Sequence, residues 1–290
     1  MARERGECIR FLSGAVPPAR SPITLAGMRL DITDPNDPRM GDYVSLRDSQ
    51  LRRSMEAERG IFIAEGDKII RRAAAVGCRP RSFLLAAKWL PGLGDVLAAW
   101  PDVPCLVADD RLIERVSGFH VHRGALASFE RPDETPWEVI LGARRILVCE
   151  DLVDHANVGS IIRVAAALGW DAVVISPGGA DPLYRRAIKA SMGTCFQVGW
   201  RRMTDSVTDL ARFRAAGFEL AATTLSPEAT PLTDYRAPEK LALLLGSEGH
   251  GLSDDWLEAA DVRLGIEMAV GVDSLNVATA AAIFAHWLRL

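Results

Sequence analysis

The chain has 290 residues, 49% of them hydrophobic and 25% charged, with 34 basic against 38 acidic side chains and a formal net charge of −4. That balance belongs to a soluble globular protein and excludes disordered, collagen-like and coiled-coil classes. The length favours two domains over one, and taken alone an acidic total counts against a nucleic-acid partner.

Residues 1–27 hold four Arg and two Glu with scattered Pro and no apolar central segment, so they read as a flexible extension and not as a secretory signal. A turn-rich entry, Asp34 to Arg39, leads into a predicted helix over Tyr43 to Ala57 that carries Arg47, Arg52 and Arg53. After it come the strand-like IFIAEG, a helix from Asp67 to Val76, and the apolar runs SFLLAA and CLVAD, which together predict a small α/β domain over residues 28–132. Prolines at 132 and 136 among acidic residues read as a linker over 133–143. Nowhere is there a run of the roughly 18 uncharged apolar residues that a membrane span needs. Cys8, Cys78, Cys105, Cys149 and Cys195 are widely spaced and never CxxC, a pattern of neither a disulfide framework nor a zinc site. No metal is expected, and a reducing cytoplasm is the expected compartment.

From residue 144 onward, strands are predicted at Arg145–Glu150, Trp170–Ser176, Thr194–Trp200, Phe218–Leu225, Leu241–Gly246 and Arg263–Met268, each followed by a helical or turn-rich stretch. This predicts a mostly parallel sheet covered on both faces, and ligands of such sheets bind beyond the carboxyl ends of the strands.

Three strand-end segments carry polar groups that packing does not require. In Asp151–Gly169, Val158, Ile161, Ile162, Ala165 and Leu168 form an apolar stripe, Arg163 projects from nearly the opposite face, and Asn157 reads as a helix N-cap. On this helix alone Arg163 is as readily a solvated surface residue. Leu241–Ser253 is a buried strand ending in Gly246, Gly249 and Gly251, a GxxGxG spacing that is not the dinucleotide fingerprint. Its Glu248 would repel a pyrophosphate but could orient a cation or a hydroxyl. In Ile266–Leu288 a strand ends at Met268 and a helix is predicted to begin near Ser274, with Ser274 and Asn276 in its first turn. Free N–H groups beside small polar side chains bind polar ligands. Beyond Thr279 this helix is apolar nearly all round, so both faces must be covered, within the domain or by another subunit.

In order and wording these segments resemble the SpoU family of RNA methyltransferases, also called the TrmH family, within the knotted SPOUT class. The Asn-x-Gly-x-x-x-Arg motif stands here as Asn157, Gly159 and Arg163; Gly-Ser-Glu-Gly-x-Gly as Gly246 to Gly251; and Ser-Leu-Asn-Val as Ser274 to Val277. The likeness covers Arg145 to Leu290, and Asp181 to Gly193 is also typical. Residues 28–132 more loosely resemble the L30e-like substrate-binding domain of many members, through TDPNDPR, FIAEG and Gly118 to Ala127. One departure is Glu267, where the family usually has proline before Met268.

The resemblance implies an α/β chain whose carboxy-terminal domain, 144–290, threads a deep trefoil knot around S-adenosylmethionine. It implies cofactor contacts at Gly246, Ile266 and Leu275, with Thr223 and Met268 nearby. Arg163 would engage a ribose 2′-hydroxyl and its phosphate, Asn157 and Glu248 would orient Arg163, and Ser274 and Asn276 would hold the ribose and substrate backbone. The implied partners are structured RNA (ribosomal RNA first, transfer RNA second) and a second copy of the chain packed through the knot helices. His120, His122 and Arg123 are candidate RNA contacts.

Alternatives are a knotted base N-methyltransferase, which generally lacks this Asn, Arg and Ser-Leu-Asn set, a nicotinamide-dependent dehydrogenase, which needs a glycine turn after Glu150, and a non-catalytic RNA-binding module, which does not require both Arg163 and Glu248. The acidic total does not stand against RNA, because residues 1–132 carry 20 basic and 17 acidic side chains. Arg52, Arg53, Arg71, Arg72, Arg79 and Arg81 are clustered there.

Overall fold

The computed structural model describes residues 28–48, 55–56, 58–119, 121, 124–247 and 249–290. They form two compact units.

The amino-terminal unit is built on a five-stranded sheet of β1 (Arg29–Asp31), β2 (Ile61–Glu65), β3 (Pro80–Leu85), β4 (Cys105–Val107) and β5 (Ala125–Glu130), in the order β1-β4-β3-β5-β2. β5 runs antiparallel to β2 and β3, while β1 and β3 are parallel to β4. Tyr43, fully buried, donates its hydroxyl to the Ser82 carbonyl at 2.7 Å and accepts from the Ser128 N–H at 3.1 Å. Its ring thus fills the core while its polar tip is satisfied. The helix predicted over Tyr43–Ala57 is not continuous: a 3-10 helix covers Pro38–Tyr43, and Val44–Arg47 are turns. Ser45 has φ of 52°, which a right-handed helix cannot continue through. Arg52 and Arg53 lie outside the described residues, as do His120, His122 and Arg123.

The second unit comprises Asp133–Pro182 and Gln197–Leu290. Its strands are β6 (Arg145–Cys149), β7 (Ala172–Ile175), β8 (Gly199–Arg202), β9 (Glu219–Thr223), β10 (Thr230–Pro231), β11 (Leu241–Leu245) and β12 (Val262–Gly265). Every pairing is parallel, in the order β10-β12-β9-β11-β6-β7-β8. Alternate residues supply a core on one face, where Val148, Val174, Leu220 and Leu244 meet Phe213 and Trp256. The intervening Leu147, Val173, Ala221 and Leu243 are equally buried, so the strands read as unbroken apolar runs. The helices His155–Leu168 and Val277–Trp287 pack against each other, and Trp170 Nε1 donates to the Ala285 carbonyl at 3.0 Å.

Two stretches depart from the sequence pattern. Residues 133–143, linker-like in composition, hold the helix Trp137–Gly142, whose Ile140 is 1% exposed within the core. Four apolar side chains in Trp137–Leu141 outweigh the flanking prolines. Leu183–Phe196, inside the expected catalytic domain, instead belongs to the amino-terminal unit. Leu183, Ala187, Ile188 and Phe196 are buried there, and Phe196 lies 5.1 Å from the Phe62 ring. Thr194–Phe196 is a 3-10 turn, so the strand predicted over 194–200 begins only at Gly199.

The same segment neutralises a buried charge. Glu65, 3% exposed at its side chain, accepts from Arg185 at 2.6 Å and Lys189 at 2.8 Å, and Arg185 also lies 4.3 Å from the centre of the Phe119 ring. Removing one partner of a buried pair leaves an uncompensated charge. Arg185→Ala is therefore expected to destabilise the chain by about 3 kcal/mol in denaturant titrations, and Lys189→Ala, at a half-exposed position, by less; equal losses would contradict this assignment.

Candidate active site

β12, β9 and β11 are neighbours in the sheet, so their carboxyl ends open side by side. A cavity of about 470 Å³ lies there, lined by Thr223 at the end of β9, by Gly246, Ser247 and Gly249 to Leu252 after β11, by Ile266 and Met268 after β12, and by Ser274 to Asn276 before the final helix with Val277 at its start. All five residues expected to hold a cofactor, Thr223, Gly246, Ile266, Met268 and Leu275, line it. Ser274 and Asn276 do so as well.

The β11 turn makes a wall of backbone. A Cβ on Gly246 would lie 2.1 Å from the Gly251 carbonyl carbon and 2.2 Å from the Leu252 nitrogen, so only glycine allows the chain to return this closely. Ser247 and Gly251 exchange both backbone hydrogen bonds at 3.0 Å, and Gly249 and Gly251 have φ of 92° and 73°. At the end of β9 the Thr223 hydroxyl donates to the Leu244 carbonyl at 2.9 Å, which fixes its methyl and oxygen relative to β11. Glu267 is exposed while its neighbours Ile266 and Met268 line the cavity, so the residue that departs from the family pattern points away from it.

The final helix starts at Val277, three residues later than predicted, with Asn276 as its N-cap. Asn276 Oδ1 accepts from the Ala278 and Thr279 N–H groups at 3.0 and 3.3 Å, and its Nδ2 donates to Asn157 Oδ1 at 3.0 Å. Asn157 is not a cap. Asp154 takes that role, accepting from the Ala156 N–H at 2.6 Å, and Asn157 sits 9% exposed inside the helix His155–Leu168. The first and third motifs are therefore joined by an amide pair that spacing along the chain could not reveal. Arg163 lies exposed on the same helix and does not line the cavity. Glu248 lies outside the described residues.

Among the described residues, no lining side chain is a carboxylate, amine or guanidinium, and His250 is the one ionisable group on the wall. No cluster of three or more described His, Cys, Asp or Glu residues could hold a metal ion. Cys149, the last residue of β6, is fully buried, and burial pushes its thiol up to about 12, so it does not serve as a nucleophile at neutral pH.

Residues 144–286 match the model of the SpoU rRNA methylase family. A protein of Mycobacterium tuberculosis named as an uncharacterized tRNA/rRNA methyltransferase is 41% identical over 257 residues, which cover 87% of this chain and 89% of that protein. A 23S rRNA (guanosine-2′-O)-methyltransferase of Bacillus subtilis is 35% identical over 155 residues, 53% of this chain and 61% of that one. Among solved structures, an rRNA methyltransferase of Sinorhizobium meliloti crystallised with AdoMet shares the fold with a TM-score of 0.76 at 23% identity, covering 90% of this chain and 97% of its own.

The amide pair can be tested by hydrogen exchange. Asn276→Ala removes both cap bonds and the partner of Asn157, and is expected to destabilise the chain by about 1–2 kcal/mol and to speed exchange at the Ala278 and Thr279 amides. Asn157→Ala keeps the cap and is expected to cost less; unchanged exchange in Asn276→Ala would refute the capping role.

Proposed function

Because the chain belongs to the SpoU rRNA methylase family, we propose that it transfers the methyl group of S-adenosylmethionine to a ribose 2′-hydroxyl of structured RNA, with ribosomal RNA the first candidate and transfer RNA the second. The observation that carries this reading is the convergence of Thr223, Gly246, Ile266, Met268 and Leu275, from four separate stretches of chain, on one cavity at the strand ends. The likeness to a 2′-O-methyltransferase of B. subtilis supports the choice of oxygen over base.

The cavity suits the cofactor. Its volume falls within the range of about 300–1,000 Å³ usual for small-molecule sites, its wall at Gly246 is bare backbone, and Ile266, Met268 and Leu275 supply apolar surface for an adenosine. When bound, S-adenosylmethionine supplies an electrophilic sulfonium methyl. Thr223, Gly246, Ile266, Met268 and Leu275 hold it, and the Asn157–Asn276 pair fixes the start of the final helix beside it.

Arg163 acts on the RNA. A guanidinium with a pKa above 12 is a poor base, so its work is to hold the ribose O2′ and the neighbouring phosphate, and to stabilise the negative charge that grows on O2′ as its proton passes to that phosphate or to solvent. Glu248 orients that guanidinium, and Ser274 with Asn276 holds the ribose. The final helix exposes Ile283 and Trp287 at 39% and 54%, and Leu290, just beyond it, is 64% exposed. We assign this apolar face to self-association into a homodimer.

Incubation of the protein with total RNA and methyl-labelled S-adenosylmethionine is expected to place label in alkali-resistant dinucleotides, the signature of a blocked 2′-oxygen; label recovered only in mononucleotides would indicate base methylation and overturn the assignment. Arg163→Ala should lower turnover by about 10²-fold or more while binding S-adenosylmethionine like the wild type.

A further inference from the structure

Glu150 follows the last residue of β6, and its N–H donates to the carbonyl of Leu245 at 2.8 Å. Leu245 is the last residue of β11, so Glu150 stands beside the point where that strand opens into the glycine turn. Its side chain accepts twice from a single residue: the Ser253 N–H at 2.8 Å on Oε2 and the Ser253 hydroxyl at 2.5 Å on Oε1. Ser253 occupies the N-cap of the helix Asp254–Ala259, where a serine ordinarily turns its oxygen onto the free N–H groups of its own helix. Here it makes no such bond and gives its hydroxyl to Glu150.

The cost of the charge makes a purely structural purpose a poor explanation. Glu150 is 9% exposed, and among the described residues no cation pairs with it. The charged groups around it are Asp151 in its own turn, Asp255 on the helix Asp254–Ala259, and Arg214 on the helix Ser206–Ala215, which is engaged by Asp261 and the Ala259 carbonyl. A buried carboxylate in such company costs free energy, yet ionised acceptors form hydrogen bonds roughly twice as strong as neutral ones. What the charge secures is the return limb of the glycine turn, one residue after Leu252, which itself lines the cofactor cavity.

We propose that Glu150 is a positioning residue for cofactor binding: by holding Ser253 it sets the Gly249–Leu252 limb of the cavity wall without touching the cofactor. This rests on the reading of that cavity as the S-adenosylmethionine site. A second cavity of about 500 Å³, between the helices Ser206–Ala215 and Asp254–Ala259, has Glu150 in its lining. Burial raises the Glu150 pKa above the ordinary carboxylate range, Asp151 and Asp255 add to the rise, and the two bonds from Ser253 oppose it. Ionised, the group accepts both bonds. As pH falls through the raised pKa, one oxygen takes a proton and the hold on Ser253 weakens.

Calorimetric titration of S-adenosylmethionine into the full-length protein from about pH 4, near the ordinary glutamate value, to about pH 8 tests this. Glu150→Ala is expected to weaken binding about ten-fold at neutral pH without loss of the cooperative thermal transition. Glu150→Gln, which keeps the shape but cannot ionise, should bind as the wild type does at the acid end and fail to tighten as pH rises. Ser253→Ala should weaken binding in the same direction, and adding it to Glu150→Gln should change little further. The proposal is overturned if Glu150→Gln retains the wild-type pH dependence, or if a folded Glu150→Ala binds normally; should Glu150→Ala not fold, Glu150→Gln and Ser253→Ala decide. Gly246→Ala separates the two levels. If it binds S-adenosylmethionine normally the cavity reading itself fails, whereas if it alone loses binding only the role of Glu150 falls.

Discussion

The close approach of Gly246 to Gly251 and Leu252 is the constraint on which the rest of the site depends. A parallel strand delivers its last residue at the sheet edge, and the chain must leave without filling the space where a ligand would sit. Here it doubles back over a residue with no side chain, so that a Cβ would fall within 2.1 Å of backbone. The wall that results is made of peptide groups, whose positions are fixed by the sheet and not by rotamers. Leu252, 6% exposed in the core, then returns the chain to the apolar layer beneath.

Around that wall, the other contributions come from neighbours in the sheet order and not in the sequence. β9 and β12 flank one another and β11 flanks β9, so Thr223, Gly246 and Ile266 meet although long stretches of chain separate them. The fourth contribution is the loop before the final helix, fixed by Asn276, which caps that helix and binds Asn157. An amide serves both purposes because it offers acceptor and donor at once. A serine or aspartate there would cap the helix but could not reach Asn157 with an N–H.

Much of this is legible in the chain. The apolar runs at 145–149, 172–175, 219–223 and 241–245 are short, rich in branched residues and bounded by helical stretches, and each is a parallel strand. The three polar segments stand out because their residues are out of place in an apolar layer, and the second and third of them line one cavity. What was not legible depends on distance or on competition. Asn157 resembles a cap until Asp154, three residues earlier, is seen to hold that position. Its partnership with Asn276 spans 119 positions. Residues 183–196 carry no boundary signal, yet they bury Ile188 and Phe196 in the amino-terminal unit and supply the cations for Glu65. The linker composition of 133–143 misleads because both prolines precede the helix there and leave it uninterrupted.

The central claim is that the cavity at the ends of β9, β11 and β12 is where S-adenosylmethionine binds. Ultraviolet crosslinking of the labelled cofactor to the intact protein, followed by peptide mapping, tests it directly. The account predicts label within residues 223–226, 246–252 and 266–280, competed away by unlabelled S-adenosylmethionine. Competable label confined to the helices Ser206–Ala215 and Asp254–Ala259, beside the second cavity, would contradict it.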